Sequence, residues 1–221
     1  MRSLHAEVAT EAGANVRLVE VFAGTENTVA EVTADIADGA GFELIQLYLG
    51  GDTVSEINAE LAGVRSSFRA EIGYLLNGDD KLDINLIARH AGKKSESEIE
   101  VKGVMSGRSQ KTFKGTIDFQ NGASGAKGAE REEVLLMDKT VRNKTVPLIL
   151  CAEEDVEGSH GASVGRIDER HIFYMQSRGI PMNKIYELVA RSKIDHILGL
   201  IGDEETVSRI NNTLGRSDED E

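Results

Sequence analysis

Five glycines recur at a nearly constant spacing in the middle of the chain, and this spacing constrains the fold more than any other feature. Gly63, Gly78, Gly92, Gly107 and Gly122 follow one another at steps of 15, 14, 15 and 15 residues. Glycine reaches positive φ at no steric cost and is therefore expected at the corners between short strands. A meander, a barrel and a solenoid of stacked turns all fit the spacing, because hairpins and parallel turns both repeat at about this length.

The segments between these glycines alternate apolar and polar residues, which is typical of strands. The segment "GASGAKGAERE" (122–132) lacks this alternation and is predicted to be an exposed loop. The sequence therefore predicts a β body over residues 1–167. Its predicted strands are 14–22, 41–49, 66–76, 81–88, 97–105, 111–119, 133–138 and 145–153.

After the β body the pattern becomes helical. Asp168 is a suitable N-cap for "ERHIFYMQSR", and Gly179 a suitable stop. Pro181 fits the first turn of a long helix over residues 182–201.

A last amphipathic helix is predicted over 203–215, with acidic residues in its first turn. Residues 168–215 thus form a C-terminal helical region. The final segment, 216–221 ("RSDEDE"), is predicted to be a solvated tail.

The first half of helix 182–201 carries apolar residues on two sides. One side can cover the β body, and the other is free for a further helix or a second protein. The main stripe is Tyr186, Ala190, Ile194, Ile197, Leu198 and Ile201, and the opposite side is Ile185, Leu188 and Val189.

The charge balance argues against nucleic acid and membrane as partners. The chain has 25 Lys plus Arg against 38 Asp plus Glu, a net charge of −13, so its surface repels phosphate groups. Apolar runs such as "VPLILCA" are too short to cross a bilayer, and the N-terminus lacks the apolar stretch of a signal peptide. We expect a cytoplasmic protein. The single cysteine, Cys151, excludes an internal disulfide and fits a reducing compartment.

Few residues suggest chemistry on their own. The glycines of "GASGAKG" have neither order known for a phosphate-binding loop. The histidines are scattered, so the sequence shows no histidine-rich metal site. Cys151 fits a small buried hydrophobe or a thiolate ligand. His160, in "GSHGAS", fits a turn between a strand and a helix as well as a ligand in an open site.

A longer pattern around His160 resembles a known family. "SHGASVGRIDERHIFYMQSRGI" (159–180) resembles the signature of the SufB/SufD family, the scaffold subunits of the SUF iron–sulfur cluster assembly system, and is most similar to the SufD form. "VKGVMSGRSQKTFKGTIDF" (101–119) and "EVLLMDKTVRNKTVPLIL" (133–150) resemble two further family segments. The resemblance covers most of residues 87–181.

The resemblance implies a right-handed parallel β-helix followed by C-terminal helices. It also implies a scaffold without catalytic activity of its own. Family members commonly carry a further N-terminal domain, whereas this chain starts almost at the core domain, so a minimal scaffold subunit is expected.

The resemblance implies that His160 is a cofactor and metal ligand, binding a transient iron–sulfur cluster or iron at a subunit interface. Gly161 follows it as in SufD-type chains. The cysteine that usually precedes the Ser-His pair is Gly158 here, and the interface cysteine of SufB aligns near Glu132. Any thiolate from this chain can come only from Cys151, and other thiolates must come from a partner.

The resemblance also implies two protein partners. One is a SufC-like ABC ATPase, which would dock on residues 168–201 and hydrolyse the ATP. The other is a SufB-like subunit, or a second copy of this chain in a homodimer. The expected docking residues are Phe173, Tyr174, Arg178, Ile185, Leu188 and Val189.

Two functions of other classes remain as alternatives. An acidic β-solenoid can present an extended binding surface for a sugar or small anion. The chain has only four Tyr and six Phe, however, and Phe119, Phe173 and Tyr174 are expected to face the core. The second alternative is a metal-dependent barrel enzyme, whose mononuclear metal would lack sulfide.

Overall fold

The computed structural model describes residues 1–214 and consists of twelve strands followed by three helices. Residues 215–221, which include the predicted tail and the last residue of the predicted final helix, lie outside the described residues. The strands are β1 (Arg2–Ala9), β2 (Asn15–Ala23), β3 (Thr28–Asp35), β4 (Gly41–Leu49), β5 (Asp52–Leu61), β6 (Ser67–Leu76), β7 (Lys81–His90), β8 (Glu96–Met105), β9 (Gln110–Phe119), β10 (Ala126–Leu136), β11 (Arg142–Cys151) and β12 (Val156–Gly165). The helices are α1 (Glu169–Ser177), α2 (Met182–Ile201) and α3 (Glu204–Thr213).

The strands form two parallel sheets that the chain visits in alternation. The odd-numbered strands form one sheet in the order β1-β3-β5-β7-β9-β11, and the even-numbered strands form the other in the order β12-β10-β8-β6-β4-β2. Each pair of consecutive strands is therefore one turn of a β-solenoid with six turns. This confirms the expected parallel β-helix with C-terminal helices and excludes the meander and the barrel.

The glycine spacing is half of the solenoid repeat. Ser55, Ile84 and Phe113 are register partners in successive turns, 29 residues apart. The recurring glycines therefore belong alternately to the two corners of each turn. At one corner Gly92 stacks on Gly63 so closely that a Cβ on Gly92 would lie 1.9 Å from the carbonyl oxygen of Gly63.

Three of the recurring glycines meet a different requirement. Gly78 and Gly107 lie at the other corner, and Gly122 at the same corner as Gly63 and Gly92. Gly78, Gly107 and Gly122 have φ values of +58°, +67° and +99°, as expected for turn glycines, whereas Gly63 and Gly92 do not. The prediction of positive φ is right for these three. At Gly63 and Gly92 the requirement is close contact between turns.

Sequence analysis missed four strands, β1, β3, β5 and β12, and wrongly assigned part of β10 to a loop. The loop prediction is wrong for residues 126–132, which are paired on both sides, with β8 and β12. Small and charged residues there conceal the alternation, because Ala126, Gly128, Glu130 and Glu132 occupy the buried positions of the strand.

The apolar core lies between the two sheets, and a second cluster lies outside them. Ile45 and Leu47 of β4 point away from the solenoid interior and pack against Ile194 and Ile197 of α2. Gly73 of β6 leaves room for this helix, since a Cβ there would lie 3.0 Å from Ile197. The helices therefore cover the outer face of the even-numbered sheet. No described helix is long and apolar enough to cross a membrane.

The helix boundaries agree with the predictions within two residues. The carboxylate of Asp168 accepts a hydrogen bond from the backbone N–H of Arg170, which confirms the N-cap, and Gly179 has positive φ where α1 has ended. Ile210 of α3 is buried, and Val207 of α3 and Leu214, which follows the helix, are packed against the outer cluster.

Candidate functional site

His160 lies in the middle of β12, the last strand of the solenoid, and not in a turn between a strand and a helix. It is the register partner of Glu130 in β10. Register partners on parallel strands point to the same side of the sheet, so the position of His160 is an interior one. Its side chain is nevertheless exposed, because no described strand pairs with the outer edge of β12.

The interior row that ends at His160 changes character along the solenoid. Its first four members are apolar and its last two are ionisable. In order from β2 to β12 they are Leu18, Leu44, Ala70, Ile99, Glu130 and His160. Ionisable side chains thus replace apolar ones in this row at its last two positions, Glu130 and His160.

Glu130 is a nearly buried carboxylate in this row. Its side chain reaches across the interior and occupies the space over Gly115 of β9, where a Cβ would lie 1.9 Å from Oε2. The residue is 5% exposed. Burial first, and then the charge of Glu132, raise the pKa of Glu130 to about 7, while Lys111 acts in the opposite direction.

A buried ion pair lies beside Glu130. The ammonium of Lys111 donates to the carboxylate of Glu132, and neither side chain is exposed. The hydroxyl of Thr145 in the last turn donates to the same carboxylate at 2.6 Å. Burial lowers the pKa of Lys111, and Glu132 opposes this effect. Glu132, which the resemblance aligns near the interface cysteine of SufB, is thus a paired carboxylate.

Two buried polar atoms near this ion pair have no hydrogen-bond partner among the described residues. They are the hydroxyl of Tyr74 and Oδ1 of Asn143. The Lys111 ammonium lies 5.7 Å from the centre of the Tyr74 ring, and Asn143 is the register partner of Lys111. The interior of the last two turns therefore combines this polar cluster with apolar residues such as Phe119 and Val134.

Cys151 occupies an interior position in the last turn. It is the register partner of Phe119, whose side chain is fully buried. Leu148 and Leu150 lie on the outer side, at 44% and 49% exposure. Cys151 therefore lies on the inner side of the strand and the two leucines on its outer side. The thiol is exposed all the same, because β11 is also an edge strand, so the buried-hydrophobe interpretation is wrong.

Gly158 also faces the interior of the last turn. A Cβ at this position would lie 3.0 Å from Ile149 and 3.1 Å from Phe119. A cysteine at this position would therefore point toward the solenoid interior, next to Ile149 and Phe119. Among the described residues no three His, Cys, Asp or Glu side chains are close enough to hold a metal ion.

The helices expose an aromatic patch. Phe173 and Tyr174 of α1 are 73% and 58% exposed, so the prediction that they face the core is wrong, whereas the same prediction for Phe119 is confirmed. The guanidinium of Arg178 lies 5.2 Å from the centre of the Tyr174 ring.

The four docking candidates beyond these two aromatics differ in exposure. Leu188 and Arg178 are exposed and Val189 is half-buried. Ile185 is completely buried inside the chain, so it cannot form part of a surface for a partner in this conformation. A cavity of about 300 Å³ lies beside Phe173 and is lined by Ile167, Ile172, Met182 and Tyr186, among others.

A groove of about 1120 Å³ runs across the beginnings of the even-numbered strands. Its charged side chains pair with one another, as Arg17 does with Glu43 and Lys127 with Glu157. Its aromatic residues, Phe42 and Phe68, are each 2% exposed. The groove therefore lacks the exposed aromatic surface that would favour a sugar-binding module.

Sequence reasoning found His160 but missed Glu130 and Lys111. Glu130 could have been found from the alternation along β10. Every second residue there lies on the interior face, and that face includes charged residues. The interior residues are Gly128, Glu130, Glu132 and Val134. Lys111 occupies an apolar position of β9, where the pattern alone predicts a hydrophobic residue.

Comparison with known proteins identifies the family. Residues 2–193 match the family described as "SUF system FeS cluster assembly, SufBD core domain". The chain is 33% identical over 139 residues to the iron–sulfur cluster assembly protein SufD of Bacillus subtilis (strain 168). The matched region covers 63% of this chain and 32% of that protein. The chain is 35% identical over 88 residues to SufD of Escherichia coli (strain K12), covering 40% of this chain and 21% of that protein.

A third relative matches more of the chain at lower identity. An iron–sulfur cluster assembly SufBD family protein of Mycobacterium tuberculosis (strain ATCC 25618 / H37Rv) is 25% identical over 203 residues, or 88% of this chain and 24% of that protein. The chain thus spans about a third or less of the length of these curated relatives. With the family match over nearly all of the described residues and the solenoid fold, the chain belongs to the SufBD core family of the SUF iron–sulfur cluster assembly system.

Proposed function

We propose that this chain is a SufD-like scaffold subunit that supports iron–sulfur cluster assembly together with a SufC-type ABC ATPase. The observation that carries the proposal is the position of His160, an exposed imidazole on the interior side of an uncovered last turn. A group in this position meets whatever protein covers the end of the solenoid. A cluster or iron bound there would lie at a subunit interface.

The edges of the last turn support a protein partner at this end. β11 and β12 are the outermost strands of their sheets among the described residues. Their outer backbone N–H and C=O groups are therefore free to pair with strands of another chain. The partner is a SufB-like subunit or a second copy of this chain.

The thiolates for a cluster come mainly from the partner. Cys151 is the single cysteine of this chain. It lies nine residues before His160, at the end of β11 in the other sheet. His160 then supplies an imidazole, and this chain catalyses no reaction of its own. ATP hydrolysis belongs to the ATPase partner.

The ATPase docks on the exposed aromatic patch of α1. Phe173 and Tyr174 are large side chains left largely in solvent, and exposed aromatics are typical of interface anchors. Leu188 of α2 and Arg178 extend the same docking surface. Ile185 is omitted because it is buried inside the chain.

Co-expression tests the docking claim. The chain, with a tag, is co-expressed with the SufC-like ATPase of its organism and purified through the tag. We expect the ATPase to co-purify in a defined ratio. Its complete absence from a folded preparation would refute the docking surface.

Substitution of His160 tests the ligand role separately. We expect His160→Ala to abolish cluster accumulation on the purified complex, measured by absorbance together with iron and sulfide content, while assembly of the subunits stays intact. His5→Ala, at an exposed histidine of β1, is the matched control and leaves the cluster yield unchanged. An unchanged yield in His160→Ala would contradict the role of His160.

A further inference from the structure

Five corners of the solenoid place a residue with positive φ at the same point, two residues before one register row of the even-numbered strands. In chain order these residues are Gly13, Gly39, Arg65, Lys94 and Gly125, and the register row is Asn15, Gly41, Ser67, Glu96 and Lys127. Among the described residues, Arg65 (φ +57°) and Lys94 (φ +55°) are the two with positive φ that are not glycine. A basic residue therefore replaces glycine in two adjacent turns.

Arg65 and Lys94 are unfavourable for folding in two ways. A residue with a Cβ is strained in the left-handed backbone conformation, whereas glycine is not. The two residues also occupy the same position in adjacent turns, about 4.8 Å apart, and like charges directly opposite each other repel. The stability of the two turns therefore does not explain either residue.

Lys93 adds a third cation to this corner. Its carbonyl oxygen accepts a hydrogen bond from the backbone N–H of Arg65 at 2.9 Å. The side chains of Arg65, Lys93 and Lys94, here called the basic corner, are all exposed. None of these three side chains forms an ion pair or a hydrogen bond with a described residue.

Carboxylates in the adjoining turns are bound to other groups. Asp38 Oδ1 accepts from the backbone N–H of Val64 at 2.6 Å, and Asp155 Oδ2 accepts from the hydroxyl of Ser124 at 2.7 Å. The charge of the basic corner is therefore not neutralised within the described part of the chain, although the net charge of the whole chain is −13. An anionic group from outside would remove the repulsion between the cations.

The basic corner adjoins a groove that is large for a small ligand. Ser67 and Glu96, two residues beyond Arg65 and Lys94, line the groove of about 1120 Å³ across the even-numbered strands. Small-molecule sites typically have about 300–1,000 Å³. An extended stretch of polypeptide therefore fits this surface better than a free anion does.

The side chains of the groove argue against a nucleic acid. Glu98 and Glu157, which line it, are 52% and 75% exposed. These carboxylates would repel a continuous row of phosphates, as would the net charge of the chain. A protein segment, in contrast, can place acidic residues at the basic corner and other residues in the groove.

We infer that the basic corner is a docking site for an acidic segment of a partner protein, which continues from the corner into the adjoining groove. The acidic residues of the segment neutralise Arg65, Lys93 and Lys94. The site lies in the third and fourth turns of the solenoid, formed by β5 to β8. It depends neither on the last turn nor on the ATPase.

Glycine substitution separates binding from folding. Arg65→Gly/Lys94→Gly introduces the residue found at the equivalent positions Gly39 and Gly125, so we expect the free energy of unfolding, measured with urea, not to fall. With Lys93→Ala added, binding of a short fluorescein-labelled peptide of alternating Glu and Ser should weaken by about tenfold, because each exposed charge pair contributes about two- to threefold. Fluorescence anisotropy measures this affinity.

Three other exposed cations provide the matched control. Lys114, Arg142 and Lys144 of the odd-numbered sheet are exposed, but none of them is the register partner of another and none has positive φ. Their combined substitution by Ala removes the same charge and should leave the peptide affinity unchanged. Equal affinity in wild type and the basic-corner triple variant would overturn the proposal. A markedly less stable Arg65→Gly/Lys94→Gly protein would also overturn it, since the two cations would then serve the fold.

Competition and NMR on the wild-type protein test the kind of occupant. The unlabelled acidic peptide should displace the labelled one, and should shift the amide resonances of residues 63–69 and 92–98 before those of other exposed cations. Inorganic phosphate and a single-stranded oligonucleotide, added at the same concentration of negative charge, should displace little. Displacement by phosphate as strong as by peptide would indicate a small-anion site, and stronger displacement by the oligonucleotide a nucleic-acid site. Either result would overturn the assignment to a protein segment.

Discussion

The imidazole of His90 packs against the ring of Phe119 inside the solenoid, with the two ring centres 4.8 Å apart and the ring planes tilted by 34°. Its nitrogens are satisfied by two hydroxyls, with Nδ1 2.8 Å from Ser95 Oγ and Nε2 2.8 Å from Ser97 Oγ. Burial lowers the pKa of His90 to about 4, against the smaller opposing effects of Asp118 and Ser95. His90 is therefore a neutral core residue at physiological pH.

His90 should make the protein acid-sensitive. Between pH 6.5 and about 4 the unfolded chain binds a proton at His90 that the folded chain does not, so the free energy of unfolding falls as the pH falls through this window. A shift of this size corresponds to about 3 kcal/mol at most. Urea unfolding at pH 7.5, 5.5 and 4.5 measures it.

Two variants isolate this effect of His90. His90→Gln should remove most of the pH dependence in that window, at the cost of lower stability at pH 7.5. His171→Gln, at an exposed position of α1, should leave the wild-type pH dependence in place. Equal pH dependence in wild type and His90→Gln would contradict the assignment.

Removing one member of the buried ion pair should destabilise the protein strongly. Lys111→Met leaves the carboxylate of Glu132 buried without its cation, and such a change costs about 3–5 kcal/mol. The double variant Lys111→Met/Glu132→Leu should recover part of that loss, because no uncompensated charge then remains at this pair. Urea unfolding of the three proteins measures both steps.

An exposed pair gives the control for the buried one. Arg108 and Asp79 are joined at 2.6 Å with their side chains 72% and 69% exposed. Arg108→Met should leave the unfolding curve unchanged within error. If the double variant at Lys111 and Glu132 is no more stable than the single variant, the buried unpaired charge is not the main cause of the lost free energy of unfolding.

A methyl group at the stacked corner should prevent the turns from packing. Gly92→Ala would place its Cβ against the backbone of Gly63, where no side-chain movement can relieve the overlap, so we expect severe destabilisation. Gly199→Ala changes an exposed helical glycine with nothing near its Cβ and should stabilise α2 by about 1 kcal/mol. Thermal unfolding compares them. A Gly92→Ala protein as stable as wild type would rule out the close contact.

The aromatic patch should affect association without affecting folding. Phe173→Ser removes a side chain that is 73% exposed, so the unfolding curve should stay close to wild type while the ATPase no longer co-purifies. Val54→Ser, at an exposed apolar residue of β5, is the matched control and should retain the ATPase. Full retention by Phe173→Ser would place the docking surface elsewhere.

The regular parts of the fold were predictable because their side chains alternate. β6 has apolar interior residues at every second position from Phe68 to Leu76, and β7 has them from Leu82 to Ala88. Helix α2 has an apolar stripe with recognisable ends. The family resemblance selected the solenoid among three architectures that the glycine spacing left open. Spacing alone could not do so. The distance between glycines is the same whether the corners connect antiparallel strands of one sheet or parallel strands of stacked turns.

The candidate site was less predictable. Its residues alternate between the two faces of a strand, but those on the interior face are not apolar. Glu130 and Glu132 occupy interior positions where a pattern-based prediction expects apolar residues, and β12 is almost entirely exposed. An edge strand gains little from burial, so selection for alternation is weak there. The burial of Glu132 depends on Lys111, 21 residues away in the sequence. A pattern of neighbouring residues cannot predict a pair so far apart.

The uncovered last turn also bears on what limits the number of turns in the solenoid. A closed barrel limits its own strand number by geometry, whereas each turn of a solenoid presents the next one with the same hydrogen-bonding template. Among the described residues no element blocks the outer edges of β11 and β12. Without a partner these edges can nucleate cross-β aggregates, so the solubility of the purified chain should improve when its end is occupied.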